Sequence, residues 1–301
     1  FSNKNILKRI TTLRNKRATL LGLDSHAHYM LQNRMAQTPE KVNDFIEDLL
    51  TKSLPKAKKE LHEIKIFSRD KDNIDQLNPW DLAYYSGKMK KHLYGFDQED
   101  LRPYFKVEYV VEGVFKVASM LYGLIFEKIN DIPVYASDVK VYRTTDSDDR
   151  FLGFLYMDLF PRKTKRGGAW KTVLQHQGLI NGKMKRPHVL VAANLTPSTP
   201  SLPSLLKLSE VKTIFHEFGH ALHSLLSECK YASLSGTQVY RDFVELPSKI
   251  MENWITQKDC LLLFARHHKT DEPIPEELIE GIIAAKKYNA GINMLGQLRL
   301  S

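Results

Sequence analysis

The sequence predicts a mainly α-helical protein with a small antiparallel β-sheet, and three observations support this fold class. Apolar side chains recur at helical spacing through most of residues 1–130 and again through 257–301. Between 138 and 195, short runs rich in β-branched and aromatic residues replace that pattern, which is typical of strands. From 209 to 256, two further helices are predicted around His216-Glu217-Phe218-Gly219-His220.

Composition places the chain among ordinary globular proteins. Hydrophobic residues make up 43% and charged residues 26% of its 301 residues. No run of eighteen apolar residues occurs, so no membrane association is expected. The net charge of +9 is spread among acidic residues without any nucleic-acid-binding module, and no nucleic-acid partner is predicted. Cys229 and Cys260 are too few for a disulfide framework, which favours a reducing, cytoplasmic location.

The region before the predicted sheet is expected to be a series of helices. Asn5–Leu21 reads as a basic amphipathic helix. Thr38 is a natural cap for a helix from Pro39 towards Lys71, which Pro55 should kink or interrupt. Another helix opens at Asn78-Pro79-Trp80 and runs through His92. Apolar residues extend too far around Val107–Ile129 for one side of a helix to be exposed, so we expect it to be a central helix.

Four strands are predicted for the sheet, joined by loops rich in turn-forming residues. They are Val139–Arg143, Phe151–Asp158, Ala169–Leu174 and His188–Leu195. The loop Thr196–Pro203 then leads to the helix that carries the histidine motif. After that region, helices are expected at Asp259–His267, Glu276–Lys287 and Asn289–Leu300. No linker divides the chain, so a single domain is expected.

The histidine motif predicts a metal site. His216 and His220 are four residues apart and therefore lie on one face of a helix, where both imidazoles can reach one ion. Glu217 lies about 100° further round, within reach of a water on that ion. This is the H-E-x-x-H arrangement of zinc hydrolases. Because catalytic zinc takes three protein ligands and keeps one position for water, a third ligand should follow downstream.

The third ligand is expected to be a carboxylate. A histidine at the metzincin spacing is excluded, because the required position does not carry one. The predicted helix Arg241–Trp254 carries several acidic residues instead. Pro247 should bend its early part or end a first short turn.

At these residues the chain resembles a known family. Four stretches carry the resemblance: 216–223 (His-Glu-Phe-Gly-His-Ala-Leu-His), 235–237 (Ser-Gly-Thr), 242–248 (Asp-Phe-Val-Glu-Leu-Pro-Ser) and 251–254 (Met-Glu-Asn-Trp). They are similar to the thimet oligopeptidase family of zinc metallopeptidases, in particular to its bacterial branch, peptidyl-dipeptidase and oligopeptidase A. Likeness continues upstream at 161–162, 165–170, 102–105, 78–81 and 22–28, and so covers nearly the whole chain. A thermolysin-like zinc peptidase fits the histidine spacing but not these flanking stretches.

The resemblance implies a fold, a cofactor and an activity. The fold is the zincin-like (gluzincin) catalytic region of a two-lobed helical oligopeptidase, built around a deep channel. One zinc ion per chain is held by His216, His220 and Glu245, and Glu217 is the general base. The implied reaction is hydrolysis of peptide bonds in short oligopeptides, by an oligopeptidase or a peptidyl-dipeptidase that is monomeric when intact.

Further site residues follow from the same reading. Gly167, Gly168 and Ala169 are expected to line the substrate channel and to bind an extended peptide through main-chain hydrogen bonds. His223 is expected to line the cleft. Glu252 or Asp242 is expected to accept a hydrogen bond from a ligand imidazole.

Some features depart from the family pattern. Family members are more than twice as long, so we expect a central part of the catalytic domain, with N- and C-terminal regions absent. The family's Tyr and His oxyanion donors have no counterpart before Ser301, and the chain alone is expected to be weakly active or inactive. Lys171 and Lys249 stand where Met and Gln are expected. The alternative is a non-catalytic peptide-binding fragment that retains a zinc site.

Overall fold

The structure is a computed structural model that describes residues 2–300, and within them the protein is mainly helical with a small mixed sheet. Residues 1 and 301, the ends of the predicted helical regions, lie outside the described residues. The α-helices are α1 (Lys4–Leu20), α2 (His26–Leu31), α3 (Pro39–Asp72), α4 (Leu82–Tyr94), α5 (Gln98–Leu101), α6 (Val107–Tyr122), α7 (Leu208–Leu225), α8 (Arg241–Glu252), α9 (Lys258–Phe264), α10 (Glu276–Ala284) and α11 (Ala290–Leu298).

Two sheets are formed by seven strands in the described chain. The strands are β1 (Ile125–Ile129), β2 (Lys140–Thr145), β3 (Phe151–Asp158), β4 (Trp170–Gln175), β5 (Gly178–Ile180), β6 (Lys183–Lys185) and β7 (His188–Ala192). The larger sheet has the order β1-β2-β3-β7-β4, and β5 pairs with β6 as a separate hairpin.

The prediction of an antiparallel sheet was wrong. Strands β3 and β7 pair in parallel, with Leu155 opposite Val189, whereas the other neighbours are antiparallel. A parallel pair needs a long crossover, and here the crossover is the segment that contains β4, β5 and β6. Strand β7 returns from that segment to lie between β3 and β4, an order that alternating residue patterns do not encode.

The predicted helix Val107–Ile129 is also corrected by the structure. Helix α6 ends at Tyr122 because Gly123 adopts a left-handed conformation, with φ of 65°, and caps it. The chain then enters β1, which pairs with β2 and begins the sheet before residue 130. Pro55 neither ends nor divides α3, which continues from Pro39 to Asp72 behind its Thr38 cap.

The described chain divides into two compact units. One comprises residues 2–86 and 287–300, in which the Glu60 carboxylate of α3 accepts hydrogen bonds from Gly291 and Ile292 at the start of α11. The other is Gly87–Lys286 and contains the sheet and the histidine motif.

The core of the second unit lies between the sheet and helices α6, α7 and α9. Phe115 of α6 stacks on Phe126 of β1 at 4.3 Å between ring centroids, and Phe218 of α7 packs against both rings. This aromatic cluster fixes α7 against the sheet and so determines which of its faces is turned away from the core.

No helix of the described residues combines the length and the apolar character that a membrane crossing requires.

Candidate metal centre

Both ends of α7 are held by buried or half-buried polar groups. At the start, the Glu210 carboxylate accepts hydrogen bonds from the backbone N–H groups of Lys207 at 2.8 Å and Thr196 at 2.7 Å. At the end, the Arg186 guanidinium donates to the carbonyl oxygens of Leu225 at 2.5 Å and Ser227 at 2.9 Å. These contacts satisfy terminal backbone groups and place a positive charge at the helix C-terminus, where it is favourable.

Helix α8 approaches α7 very closely at Gly219. A Cβ atom at this position would lie 2.6 Å from Ser248 Cα and 2.9 Å from the Pro247 carbonyl oxygen, so only glycine permits the contact. Pro247 lies inside α8, which is continuous through it. The close approach brings Glu245, one turn earlier on α8, to the histidines of α7.

The carboxylate of Glu245 converges on both imidazoles. Its Oε2 atom lies 3.3 Å from His216 Nε2 and 3.4 Å from His220 Nε2, and one ligand atom from each residue lies within 4.8 Å of the others. Tetrahedral ligands at about 2.0–2.1 Å from a zinc ion would be separated by about 3.3–3.4 Å. The donor set and spacing therefore fit a metal ion.

Glu252 orients one of the two histidines. Its Oε1 atom lies 2.7 Å from His216 Nδ1, which therefore carries the proton and leaves Nε2 free for a metal. Burial alone would raise the pKa of Glu252, but hydrogen bonds from Lys249, Lys212 and His216 outweigh it and lower the pKa to about 2. Asp242 lies in the first turn of α8, and His216 Nδ1 contacts Glu252 instead.

The second histidine is held differently. His220 is buried, and no hydrogen-bond partner of its Nδ1 atom is found within residues 2–300. Burial also lowers the pKa of His220, opposed by the negative charge of Glu245. Its ring contacts that of His216 edge to face, at 4.9 Å between ring centroids.

Glu217 shares a cleft with the first histidine. The cleft has a volume of about 330 Å3 and is lined by Ala169, Lys212, Thr213, His216, Glu217, Lys249 and Glu252. Only 8% of Glu217 is exposed, and burial raises the pKa of its carboxyl group against the opposing charge of His216. The backbone N–H of Lys171 on β4 also interacts with the carboxylate.

Of the three residues predicted to bind the substrate backbone, Ala169 lines this cleft. Gly168 has φ of 90°, and added Cβ atoms at Gly167 and Gly168 would meet nothing within 4 Å. The Asn194 side-chain amide donates to the carbonyl oxygens of Arg166 at 2.9 Å and Gly168 at 2.6 Å. Strand β4, which follows, is an edge strand of the larger sheet.

His223 opens into a different cavity. We call this cavity the apolar groove; its volume is about 470 Å3, and its lining includes Tyr122, Gly219, Leu222, His223, Leu226, Leu234, Val239, Leu246, Pro247, Ile250 and Met251. Neither His216 nor Glu217 lines it. The structure thus separates His223 from the cleft that holds Glu217.

The sequence reasoning missed two residues at this site. Lys212, which lines the cleft, lies one turn before His216, and this i, i+4 spacing was the available signal. Lys171 was noted only as a departure; its ammonium group donates to Ser224 Oγ at 3.0 Å and Thr237 Oγ1 at 2.5 Å. That contact depends on tertiary packing and had no signal in the sequence.

A His-Glu-x-x-His helix completed by a carboxylate from a neighbouring helix is the arrangement of metal-dependent hydrolases. The chain belongs to peptidase family M3, whose family model matches residues 1–301. This confirms the resemblance to the thimet oligopeptidase family.

Individual relatives agree with this assignment. The chain is 37% identical over 300 residues to oligopeptidase A of Escherichia coli K12, a match that covers 99% of this chain and 44% of the relative. It is 35% identical over 290 residues to dipeptidyl carboxypeptidase of the same organism, covering 96% and 42%. It is 32% identical over 302 residues to the mitochondrial intermediate peptidase of Arabidopsis thaliana, covering 99% and 43%. The chain therefore spans less than half the length of these relatives.

Proposed function

We propose that this chain carries the catalytic centre of a zinc-dependent oligopeptidase with a zincin-like fold, which hydrolyses peptide bonds in short peptides. The observation that carries the proposal is the convergence of His216, His220 and Glu245 beside a cleft that also contains Glu217. Membership of peptidase family M3 supports the same reaction class.

In this proposal His216, His220 and Glu245 hold the metal. When bound, zinc polarises the scissile carbonyl group and lowers the pKa of the attacking water towards neutrality. Glu217 accepts the proton of that water and passes it to the leaving amine. Its burial supports this role, because a carboxylate with a raised pKa is a better proton acceptor and donor near neutral pH.

The rest of the site would bind and orient the peptide. An extended peptide can add to the free edge of β4 through main-chain hydrogen bonds, with Gly167, Gly168 and Ala169 at the end nearest the cleft. Asn194 holds the carbonyl groups of this glycine segment in place. Because the bonds are made by backbone atoms, such binding would tolerate many peptide sequences.

The experiment that tests the proposal compares the intact protein with its Glu217→Gln variant. We expect about one zinc per chain in both by metal analysis, and kcat reduced by several orders of magnitude in the variant, because the proton acceptor is lost. His216→Ala should lose zinc. Turnover by Glu217→Gln within tenfold of the parent would contradict the assigned role. A zinc-loaded parent that binds peptides without cleaving them would instead identify a non-catalytic peptide-binding protein.

A further inference from the structure

We propose that Lys212 and Lys249 form a carboxylate-binding subsite beside the metal centre, which selects peptides with an acidic group at that end of the cleft. The inference rests on the proposed function, since it names the chemistry that the same cleft prefers in its peptides. The ligand is defined by its carboxylate, which belongs either to an Asp or Glu side chain or to the C-terminus of the peptide.

Each of the two lysines lies one helical turn from a proposed metal ligand on its own helix. Lys212 lies one turn before His216 on α7, and Lys249 lies one turn after Glu245 on α8. Both line the cleft that contains Glu217. Their side chains are 51% and 59% exposed, so that neither ammonium group is sequestered from a ligand entering the cleft.

The positive charges of these lysines exceed the negative charge that they contact. Lys212 Nζ lies 3.0 Å from Glu252 Oε2, and Lys249 Nζ lies 2.8 Å from Glu252 Oε1. The same carboxylate also accepts the hydrogen bond from His216 Nδ1. One negative charge therefore faces two ammonium groups, which leaves one positive charge in excess.

The donors of the two lysines are likewise in excess. An ammonium group has three N–H donors, and a carboxylate accepts through two oxygens. Glu252 is the sole carboxylate within ion-pair distance of either lysine among residues 2–300. A second carboxylate with one oxygen towards each ammonium group would complete an alternating arrangement of two cations and two anions.

The other charged groups of the cleft do not neutralise the excess positive charge of the two lysines. Glu217 and Glu245 carry two negative charges at the metal end, which a divalent cation between His216, His220 and Glu245 would balance. The excess positive charge therefore stays at the lysine end in the loaded protein. Because both lysines are partly exposed, we expect a preference of about two- to fivefold for a peptide with a suitably placed acid over its amide.

The test measures peptide affinity rather than turnover. The intact protein carrying Glu217→Gln is titrated, with and without zinc, against fluorescent peptides that have Glu or Gln at one scanned position. A second set has a free or an amidated C-terminus. Preference for Glu identifies a side-chain carboxylate, and preference for the free terminus identifies the peptide end. Either preference should weaken as salt is added.

Variants then assign the preference to the lysines. Lys212→Gln and Lys249→Gln should each reduce it, and the double variant should abolish it. Lys258→Gln should leave it unchanged, because Lys258 lies outside the cleft and pairs with Glu276. Zinc content is measured in every variant, because both lysines contact the partner of His216.

The inference is overturned if the preference for an acidic group persists in a zinc-loaded double variant. It is also overturned if the protein binds the acid and the amide with equal affinity at every scanned position. If the parent hydrolyses peptides but the protein shows no preference for an acidic group, only the carboxylate subsite is rejected. If the protein prefers an acidic group but the parent does not hydrolyse peptides, only the proposed function is rejected.

Discussion

At the scale of single residues, the candidate metal site depends on groups other than the three proposed ligands. Glu252 fixes the proton on His216 Nδ1 and is itself kept ionised by Lys212 and Lys249. Its pKa of about 2 means that it remains a carboxylate throughout the pH range in which proteins are normally handled.

Glu252→Gln should weaken zinc binding without removing the site. The amide keeps the shape of the side chain but loses the charge that supports the ligand imidazole, so we expect affinity to fall about 10- to 100-fold. Competition with a zinc chelator measures this. Asp242→Asn is the matched control, since Asp242 lies in the first turn of the same helix. Equal zinc affinity of Glu252→Gln and the parent would show that this contact is dispensable.

Lys171 should make stability depend on pH in the alkaline range. Burial lowers its pKa from 10.5 to about 8, opposed by the charge of Glu217. Between these values the unfolded chain binds more protons than the folded one, so the free energy of unfolding should rise with pH. The rise should be smaller in Lys171→Met, which does not titrate, and in Lys171→Arg, which stays charged.

Urea unfolding of metal-free protein at pH 7, 8, 9 and 10 measures this effect. The stability of Lys171→Met relative to the parent should decrease as the pH increases. A difference between the two proteins that is the same at all four pH values would mean that the Lys171 ammonium group is not destabilised by its surroundings.

At the scale of elements, the contact between α7 and α8 decides whether Glu245 reaches the histidines. Gly219→Ala should force these helices apart, because backbone atoms of α8 cannot yield as a flexible side chain would. We expect a loss of about 1–3 kcal/mol in the free energy of unfolding. Weaker zinc binding should accompany it. Gly296→Ala in α11 is the control, since nothing lies within 4 Å of its added Cβ atom. Parental zinc affinity in Gly219→Ala would show that the helix spacing does not position Glu245.

The elements differ in how far their sequences predict them. The long helices and the His216–Glu217–His220 arrangement follow from local signals, because spacing along one helix fixes which side chains share a face. The Thr38 cap and the Pro39 start of α3 are equally local and were confirmed. Glu252 was one of two candidates for the acceptor, and only the packing of α8 on α7 distinguishes it from Asp242.

The failures concern non-local structure. Apolar residues continue on both sides of Gly123, so the sequence of β1 looks like a continuation of helix α6. In the structure, however, β1 is a strand. Pairing with β2 decides the outcome there. The parallel register of β3 and β7 and the contact of Lys171 with Thr237 join residues far apart in the chain, and no local pattern specifies them.

At the scale of the whole molecule, much apolar surface remains exposed. Tyr122, Leu226, Leu234, Leu246 and Ile250 all line the apolar groove and are exposed to solvent. The relatives that match the chain are more than twice its length, since the match covers 44% of oligopeptidase A. Monomeric proteins rarely leave large contiguous apolar patches uncovered.

Residues 1–301 expressed alone are therefore expected to self-associate and to bind an apolar dye. Light scattering across a concentration series and dye fluorescence measure the two effects. The double variant Leu246→Gln, Ile250→Gln should reduce both, because these side chains line the groove. The exposed pair Lys52→Gln, Asp48→Asn on α3 provides a polar control. A monomer that binds no dye at high concentration would contradict the expectation.

The position of β7 within the sheet also constrains the order of events during synthesis. Strand β4 leaves the ribosome before β7, yet within residues 2–300 its only neighbour in the sheet is β7. In a growing chain, β4 therefore has no partner in this sheet until His188–Ala192 has emerged. Helices α7 and α8 follow later still. Both helices of the candidate metal centre thus arise after translation has passed the sheet, and a stalled, shortened product would contain Ala169 and β4 but neither of those helices.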